Sequence, residues 1–279
     1  MILQTPRGRF NVRRTGESGP LVVLLHPLAL SGAVWNPMAA ALGRSYRVAA
    51  LDARGHGDSP WDRKPFTIDD LAADVAAVIE TLDTGPAHVV GLSMGGSTAV
   101  VLAETRPDLV DGLVLADTTA CYGPDRREKW AERAHKAVAV PRDRQLDFQV
   151  DRWFTEGYRK REPQGVERVS EIFRLTDSKA HAAACTAFGG LDATARLGDI
   201  RARTLVLVGD EDYATPPAMA ETLADGIPGA ELRVLPETRH LSLIERPDLW
   251  PLVERHLEGK PVGDAPGGRI GAVREARDA

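Results

Sequence analysis

Ser93 stands in Gly91-Leu92-Ser93-Met94-Gly95-Gly96, between an apolar run that closes at Val90 and another that opens just beyond Ser97. A serine hydroxyl becomes an effective nucleophile where a base can take its proton and backbone N–H groups can receive the charge that develops on an attacked carbonyl. A Gly-x-Ser-x-Gly stretch meets the second condition if the chain runs strand, sharp turn, helix. The glycines at 91 and 95 then leave room for a strained backbone, and the N–H of Met94 sits at the positive end of the following helix. The acid and the base are expected downstream. Gly209-Asp210-Glu211-Asp212-Tyr213-Ala214-Thr215-Pro216-Pro217 follows a strand-like run, so an acid here projects from the same sheet edge as Ser93. Asp212 is the preferred acid and Asp210 the alternative; helix capping is the competing structural role for both.

Seven histidines stand at 26, 56, 88, 135, 181, 240 and 256. His88 opens a strand and His256 sits in the terminal helix, which points to structural roles, while His135 and His181 fall in a helical segment as exposed or hydrogen-bonded groups. His240 alone follows the last strand after the acid-bearing loop. Ser93, Asp212 and His240 are therefore the expected nucleophile, acid and base. A second donor for a developing oxyanion is expected from His26-Pro27-Leu28-Ala29-Leu30-Ser31-Gly32; Pro27 has no N–H, which leaves Leu28 beside Met94. His26 reads as a brace for this loop, and Asp52, Arg54 and His56 as a hydrogen-bonded brace near the serine turn.

The elements that must position these residues are legible as periodicities. Residues 1–15 alternate around Gly8 as an edge hairpin does. Leu21 to Leu25 is continuously apolar, as in a strand buried on both faces, and 46–51, 89–90, 112–116, 204–208 and 231–235 supply further strands. Between them lie helices near 33–42 and 68–82, the second with Leu71, Val75, Val78, Ile79 and Leu82 on one face. Strands alternating with helices imply an α/β fold with a mostly parallel sheet covered on both faces. The alternation stops between 118 and 198, where Arg, Asp, Glu and Ala predominate with Trp130, Trp153, Phe154, Phe173 and Phe188 among them. A segment of that length is not a plain loop, so a helical cap is expected over the carboxyl ends of the strands, where open α/β sheets place ligands. The expected organisation is a core of 1–117 and 199–258, a cap of 118–198 and a flexible tail of 259–279.

The 279 residues carry a net charge of -5 with no basic block or basic-aromatic stripe, which argues against a nucleic-acid partner. No apolar run has the length to cross a bilayer, and Met1 to Phe10 lacks a secretory pattern, so a soluble cytoplasmic protein is expected. Cys121 and Cys185 lie far apart without any metal-ligand spacing and read as reduced side chains.

Taken together, His26-Pro27-Leu28-x-Leu30-Ser31, Asp52-x-Arg54-Gly55-His56-Gly57-x-Ser59, the Ser93 stretch, Gly209 to Pro217 and Arg239-His240-Leu241-Ser242-x-x-Glu245-Arg246-Pro247 resemble the α/β-hydrolase superfamily across residues 9–258. Arg152-Trp153-Phe154-Thr155 and residues 180–191 are similar to the 3-oxoadipate enol-lactonases, bacterial enzymes of aromatic-compound breakdown. The resemblance implies a serine hydrolase that cleaves a small acidic enol-lactone through an acyl-enzyme, without metal or organic cofactor. Trp130, Arg152 and Trp153 are the expected substrate contacts; Arg126, Arg127 and Arg133 are further cation candidates. Gly91 to Gly96 also resembles esterases and cofactor-free haloperoxidases, so a broad carboxylesterase or perhydrolase is the alternative, and a non-catalytic binding protein on the same fold a further one. Pro27 departs from the glycine of many relatives. The serine at 93 argues against relatives that use an aspartate there, and Leu92 replaces the asparagine often found in carbon-carbon bond hydrolases. A small-molecule ester or lactone is the expected partner, and a homo-oligomer is compatible with the sequence.

Overall fold

The computed structural model describes residues 1–262 and the pair 269–270. Its strands are β1 (Ile2–Thr5), β2 (Gly8–Thr15), β3 (Leu21–Leu25), β4 (Arg47–Leu51), β5 (Ala87–Leu92), β6 (Val110–Ala116), β7 (Arg203–Gly209), β8 (Glu231–Leu235) and β9 (Arg269–Ile270). They form one sheet in the order β1-β2-β4-β3-β5-β6-β7-β8-β9. From β4 to β8 every neighbouring pair is parallel, while β1, β2 and β9 join antiparallel. Every residue of β3 and β5 is buried, which is why β3 is continuously apolar instead of alternating, while β5 carries His88 among its apolar residues.

The helices are α1 (Asn36–Leu42), α2 (Ile68–Leu82), α3 (Met94–Thr105), α4 (Arg126–Ala139), α5 (Arg142–Trp153), α6 (Glu156–Arg161), α7 (Pro163–Leu175), α8 (Ser178–Gly189), α9 (Pro217–Gly226), α10 (Ser242–Glu245) and α11 (Trp250–Leu257). The expected helix at 33–42 is divided, with a 3-10 turn over Gly32–Trp35 ahead of α1 because Ser31 caps the chain at Ala33. Thr67 and Asp70 close a capping box at the start of α2, whose apolar face is buried as its spacing predicts. Helices α2 and α3 pack together, and α3 lies against β3, β5 and β6; α1 and α11 pack together against β4 and β6.

Helices α4 to α8 lie between β6 and β7, within the segment where the strand pattern lapses. Trp130 stacks on Phe188 at 4.6 Å and Phe154 on Tyr158 at 4.9 Å, and these aromatic residues of the polar segment join the same continuous core as the sheet. Gly55 meets Ala180 of α8, which seats the insertion against the Asp52 to Ser59 loop. Most of the expected tail, 259–279, lies outside the described residues; within it Val262 is buried, and Arg269–Ile270 pairs with β8. Among the described residues no helix is long and apolar enough to cross a membrane.

Candidate active site

Ser93 occupies the single position between β5 and α3 and takes φ 55° and ψ -113°, a left-handed backbone that costs a non-glycine residue about 1–3 kcal/mol. The surroundings hold it there. Its N–H donates to the Ala116 carbonyl at 2.9 Å, and its own carbonyl accepts from the Thr118 hydroxyl at 2.7 Å. Neither flanking glycine of the motif has a positive φ. Gly95 instead permits close approach: a Cβ there would lie 2.1 Å from the Leu25 carbonyl, so any side chain would push the first turn of α3 off the end of β3. Met94 is the first residue of α3, and its N–H therefore has no acceptor within the helix.

The Ser93 Oγ lies 2.9 Å from His240 Nε2, and His240 Nδ1 lies 2.8 Å from Asp212 Oδ2. Because the Asp212 carboxylate only accepts, Nδ1 bears the proton and Nε2 is left to accept from the serine hydroxyl. Asp212 also accepts from the N–H groups of Ala214 (2.7 Å) and Thr215 (3.0 Å) and from the Thr215 hydroxyl (2.7 Å). Burial acts to raise the Asp212 carboxyl, but His240 and the Thr215 donors outweigh it and hold the group below its ordinary range. Asp210 is exposed and spends its N–H on the Leu235 carbonyl, away from His240. The acid and base loops meet closely at Gly209, where a Cβ would lie 2.1 Å from the Thr238 carbonyl.

His26 links three parts of the site. Its Nε2 accepts from the Ala53 N–H at 3.0 Å, so Nδ1 carries the proton and donates to the Pro27 carbonyl at 2.8 Å, while its own carbonyl accepts from the Gly95 N–H at 3.1 Å. Burial lowers its basicity and keeps the ring neutral. Behind it Asp52 accepts from Gly32, Asp58 and Asn11, and Arg54 pairs with Asp74 at 2.6 Å. His56 is buried 5.2 Å from the His26 ring and is pushed down to about 3 by burial.

Ser93 and His240 open on a cavity of about 20 Å³ bounded by Pro27 and Leu28 below and by Tyr122, Trp130, Arg133, Arg152, Trp153 and Phe188 above. That volume suits about one water, so a ligand of several carbon atoms displaces side chains of the lining. All three expected contacts from the insertion, Trp130, Arg152 and Trp153, lie in this lining. Of the other cation candidates only Arg133 joins them, stacked over Trp130 at 4.8 Å. Arg126 binds Asp192 at 3.1 Å and Arg127 is exposed. Neither Arg133 nor Arg152 has a carboxylate partner among the described residues, and no acid lines the cavity. The Arg152 Nε is buried without a hydrogen-bond partner, and burial, aided by the charge of Arg133, pushes the guanidinium down to about 10.

Two carboxylates around His240 escaped the sequence reading. Asp117, at the end of β6, accepts from the Ser242 N–H at 2.8 Å and the Gly209 N–H at 3.2 Å, tying the base loop to the acid loop. Burial and the neighbouring Asp212 push its carboxyl well above the ordinary range. Glu245 accepts from the Arg239 N–H at 3.1 Å and from Thr155 of the insertion at 3.0 Å. A lone acid that satisfies backbone N–H groups has no spacing signature; for Glu245 the only signal was its place in the Arg239 to Pro247 stretch.

The sequence pattern of the alpha/beta hydrolase family matches residues 22–250. The chain belongs to that family. This alpha/beta hydrolase is 30% identical to 3-oxoadipate enol-lactonase 2 of Acinetobacter baylyi over 83% of its own length and 85% of the relative's. Among solved structures it is similar to the enol-lactonase from Burkholderia xenovorans (33% identity, TM-score 0.86, 92% of this chain and 100% of that one). It is also similar to a thermophilic esterase from Thermogutta terrifontis with malate bound (28% identity, TM-score 0.85, 93% and 98%). Among the described residues no cluster of His, Cys, Asp and Glu has the arrangement to hold a metal ion, and Cys121 and Cys185 are unpaired.

Proposed function

We propose that this alpha/beta hydrolase cleaves the ester bond of a small lactone or ester that bears a carboxylate, with an enol-lactone of the 3-oxoadipate type as the substrate that fits best. The observation that carries the reading is the hydrogen-bonded line Ser93–His240–Asp212 opening on a cavity with two guanidiniums and no acid. An acid-free cationic pocket favours an anionic ligand, because a desolvated guanidinium gains more from a carboxylate than from any neutral group. The likeness to two enol-lactonases supports the lactone, and the malate in the esterase structure supports a carboxylate-bearing ligand.

In this scheme Ser93 attacks the lactone carbonyl while His240 Nε2 takes its proton, and ionised Asp212 stabilises the imidazolium that forms. The N–H groups of Met94 and Leu28 receive the oxyanion. His240 then returns the proton to the departing enol oxygen, and the enol becomes a ketone, which opposes reversal. Water activated by His240 releases the acid from Ser93.

The test is steady-state hydrolysis of enzymatically generated 3-oxoadipate enol-lactone beside neutral p-nitrophenyl esters, for wild type and Ser93→Ala. A large preference for the lactone that disappears in the variant is the expected result. Turnover of neutral esters alone would reject the acidic lactone in favour of a broad esterase, and undiminished turnover by Ser93→Ala would reject the serine mechanism.

A further inference from the structure

Glu245 is a buried carboxylate that the scheme above leaves without a part. One of its oxygens accepts from the Thr155 N–H at 3.0 Å and, more closely still, from the Thr155 hydroxyl; the other accepts from the Arg239 N–H at 3.1 Å. Thr155 is the last residue of the α5–α6 junction and caps α6 through Tyr158, whereas Arg239 immediately precedes His240. Two further bonds join the same segments. The Leu241 N–H donates to the Trp153 carbonyl at 3.1 Å, and the Arg239 guanidinium holds the Asp151 carboxylate at 2.9 Å.

Residues 151–155 supply Arg152 and Trp153 to the cavity, and residues 239–241 supply His240 to the serine. We infer that Glu245 is a positioning residue that clamps these two segments together, so that the substrate-contacting wall of the insertion and the base keep one register. This rests on the hydrolase reading proposed above. The clamp needs a carboxylate. Three donors converge on its two oxygens, and an amide would turn its NH₂ toward either the Arg239 N–H or the Thr155 pair, leaving a buried donor facing a donor. Breaking the clamp lets Arg152 and His240 move relative to each other, and misplacement by about 1 Å costs about a hundredfold in rate.

The experiment compares Glu245→Gln, Thr155→Val, Thr155→Ser and the double variant Glu245→Gln with Thr155→Val. Each is assayed on p-nitrophenyl hemiglutarate and p-nitrophenyl pentanoate, and each is followed for the labelling rate of Ser93 by a fluorophosphonate. Thr155→Val removes the hydroxyl bond to Glu245 and the cap on Tyr158 while the Thr155 N–H bond remains, so it loosens the clamp on the insertion side only and is expected to lower the acidic-to-neutral ratio of kcat/KM by about tenfold. Glu245→Gln is expected to lower that ratio and also slow labelling of Ser93, because it frees the His240 segment as well. Thr155→Ser keeps the hydroxyl and should match wild type. The double variant should lose no more of the ratio than Glu245→Gln alone, since the Thr155 hydroxyl bond is part of what the amide already disrupts. If Glu245→Gln does not fold, the Thr155→Val and Thr155→Ser pair decides the matter. The inference is overturned if the variants lower Tm but leave the ratio and the labelling rate within about twofold of wild type, or if the two losses multiply in full. A wild-type chain that neither turns over an ester nor labels at Ser93 overturns the hydrolase reading, and the clamp with it. Normal wild-type behaviour with unaltered variants overturns the clamp alone.

Discussion

Replacing Arg152 by methionine should stabilise the protein while removing its preference for acidic esters. The Arg152 guanidinium is largely buried, faces no carboxylate among the described residues and leaves its Nε unbonded. Its fall from the ordinary guanidinium range to about 10 expresses the cost of that burial, which converts to about 3 kcal/mol. The side chain is charged in both folded and unfolded states at pH 7, so the cost is fully present there and is relieved only as the pH climbs past about 10. Methionine keeps much of the stem volume and discards the charge. Allowing for partial hydration of the pocket and the loss of the Arg152 guanidinium's position over the Phe148 ring at 5.9 Å, the expected gain is about 1–2 kcal/mol, or a rise in Tm of about 2–8 °C for a domain of this size. The same change removes a charge-assisted bond to a substrate carboxylate, a loss of about 1.5–3 kcal/mol, or about 10- to 150-fold in kcat/KM. Thermal unfolding, together with kcat/KM on p-nitrophenyl hemiglutarate and pentanoate, gives both readings from one preparation. A variant that is less stable than wild type and loses both substrates equally would show that Arg152 supports the fold and does not select the ligand.

Asp212→Asn is expected to lower kcat by about 10⁴-fold with a modest change in Tm, because the amide no longer enforces the Nδ1–H tautomer of His240; a loss below about tenfold would mean another group orients the base. Glu104, buried on α3 at 3.3 Å from Arg196, is pushed up to about 7 by burial, so its unfavourable ionisation makes stability fall as the pH rises from about 4.5 to 7. Urea unfolding at pH 5 and pH 8 should therefore show Glu104→Gln gaining about 1–3 kcal/mol over wild type at pH 8 and much less at pH 5; equal differences at both would refute the assignment. Gly95→Ala should yield insoluble or unfolded protein, since its Cβ would strike the Leu25 carbonyl at 2.1 Å; a soluble variant with wild-type circular dichroism would show that α3 can move away from β3.

Much of this molecule is local in origin. The apolar run of β3 and the 3.6-residue spacing of α2 state burial directly, because a strand covered on both faces and a helix covered on one favour those patterns. The Gly-x-Ser-x-Gly stretch is equally readable, since a left-handed serine pressed against a neighbouring strand demands small residues beside it. Chain order placed an acid loop and a histidine loop after it, which was enough to nominate Ser93, Asp212 and His240.

Tertiary structure alone chose among equals. Four arginines of the insertion are alike in sequence, yet Arg133 and Arg152 face the cavity while Arg126 is spent on Asp192 and Arg127 on solvent, an outcome fixed by how α4 and α5 are rotated against the core. Asp210 and Asp212 differ by two positions on one loop, and only the path of that loop past Gly209 brings the second to His240. Asp117 gave no pattern because its partners are backbone N–H groups more than 80 residues away, at 209 and 242, and the place of Glu245 in the Arg239 to Pro247 stretch did not disclose its partner at 155. Local spacing records what a residue asks of its neighbours in the chain; which distant groups answer a buried charge is decided only when the chain has closed around it.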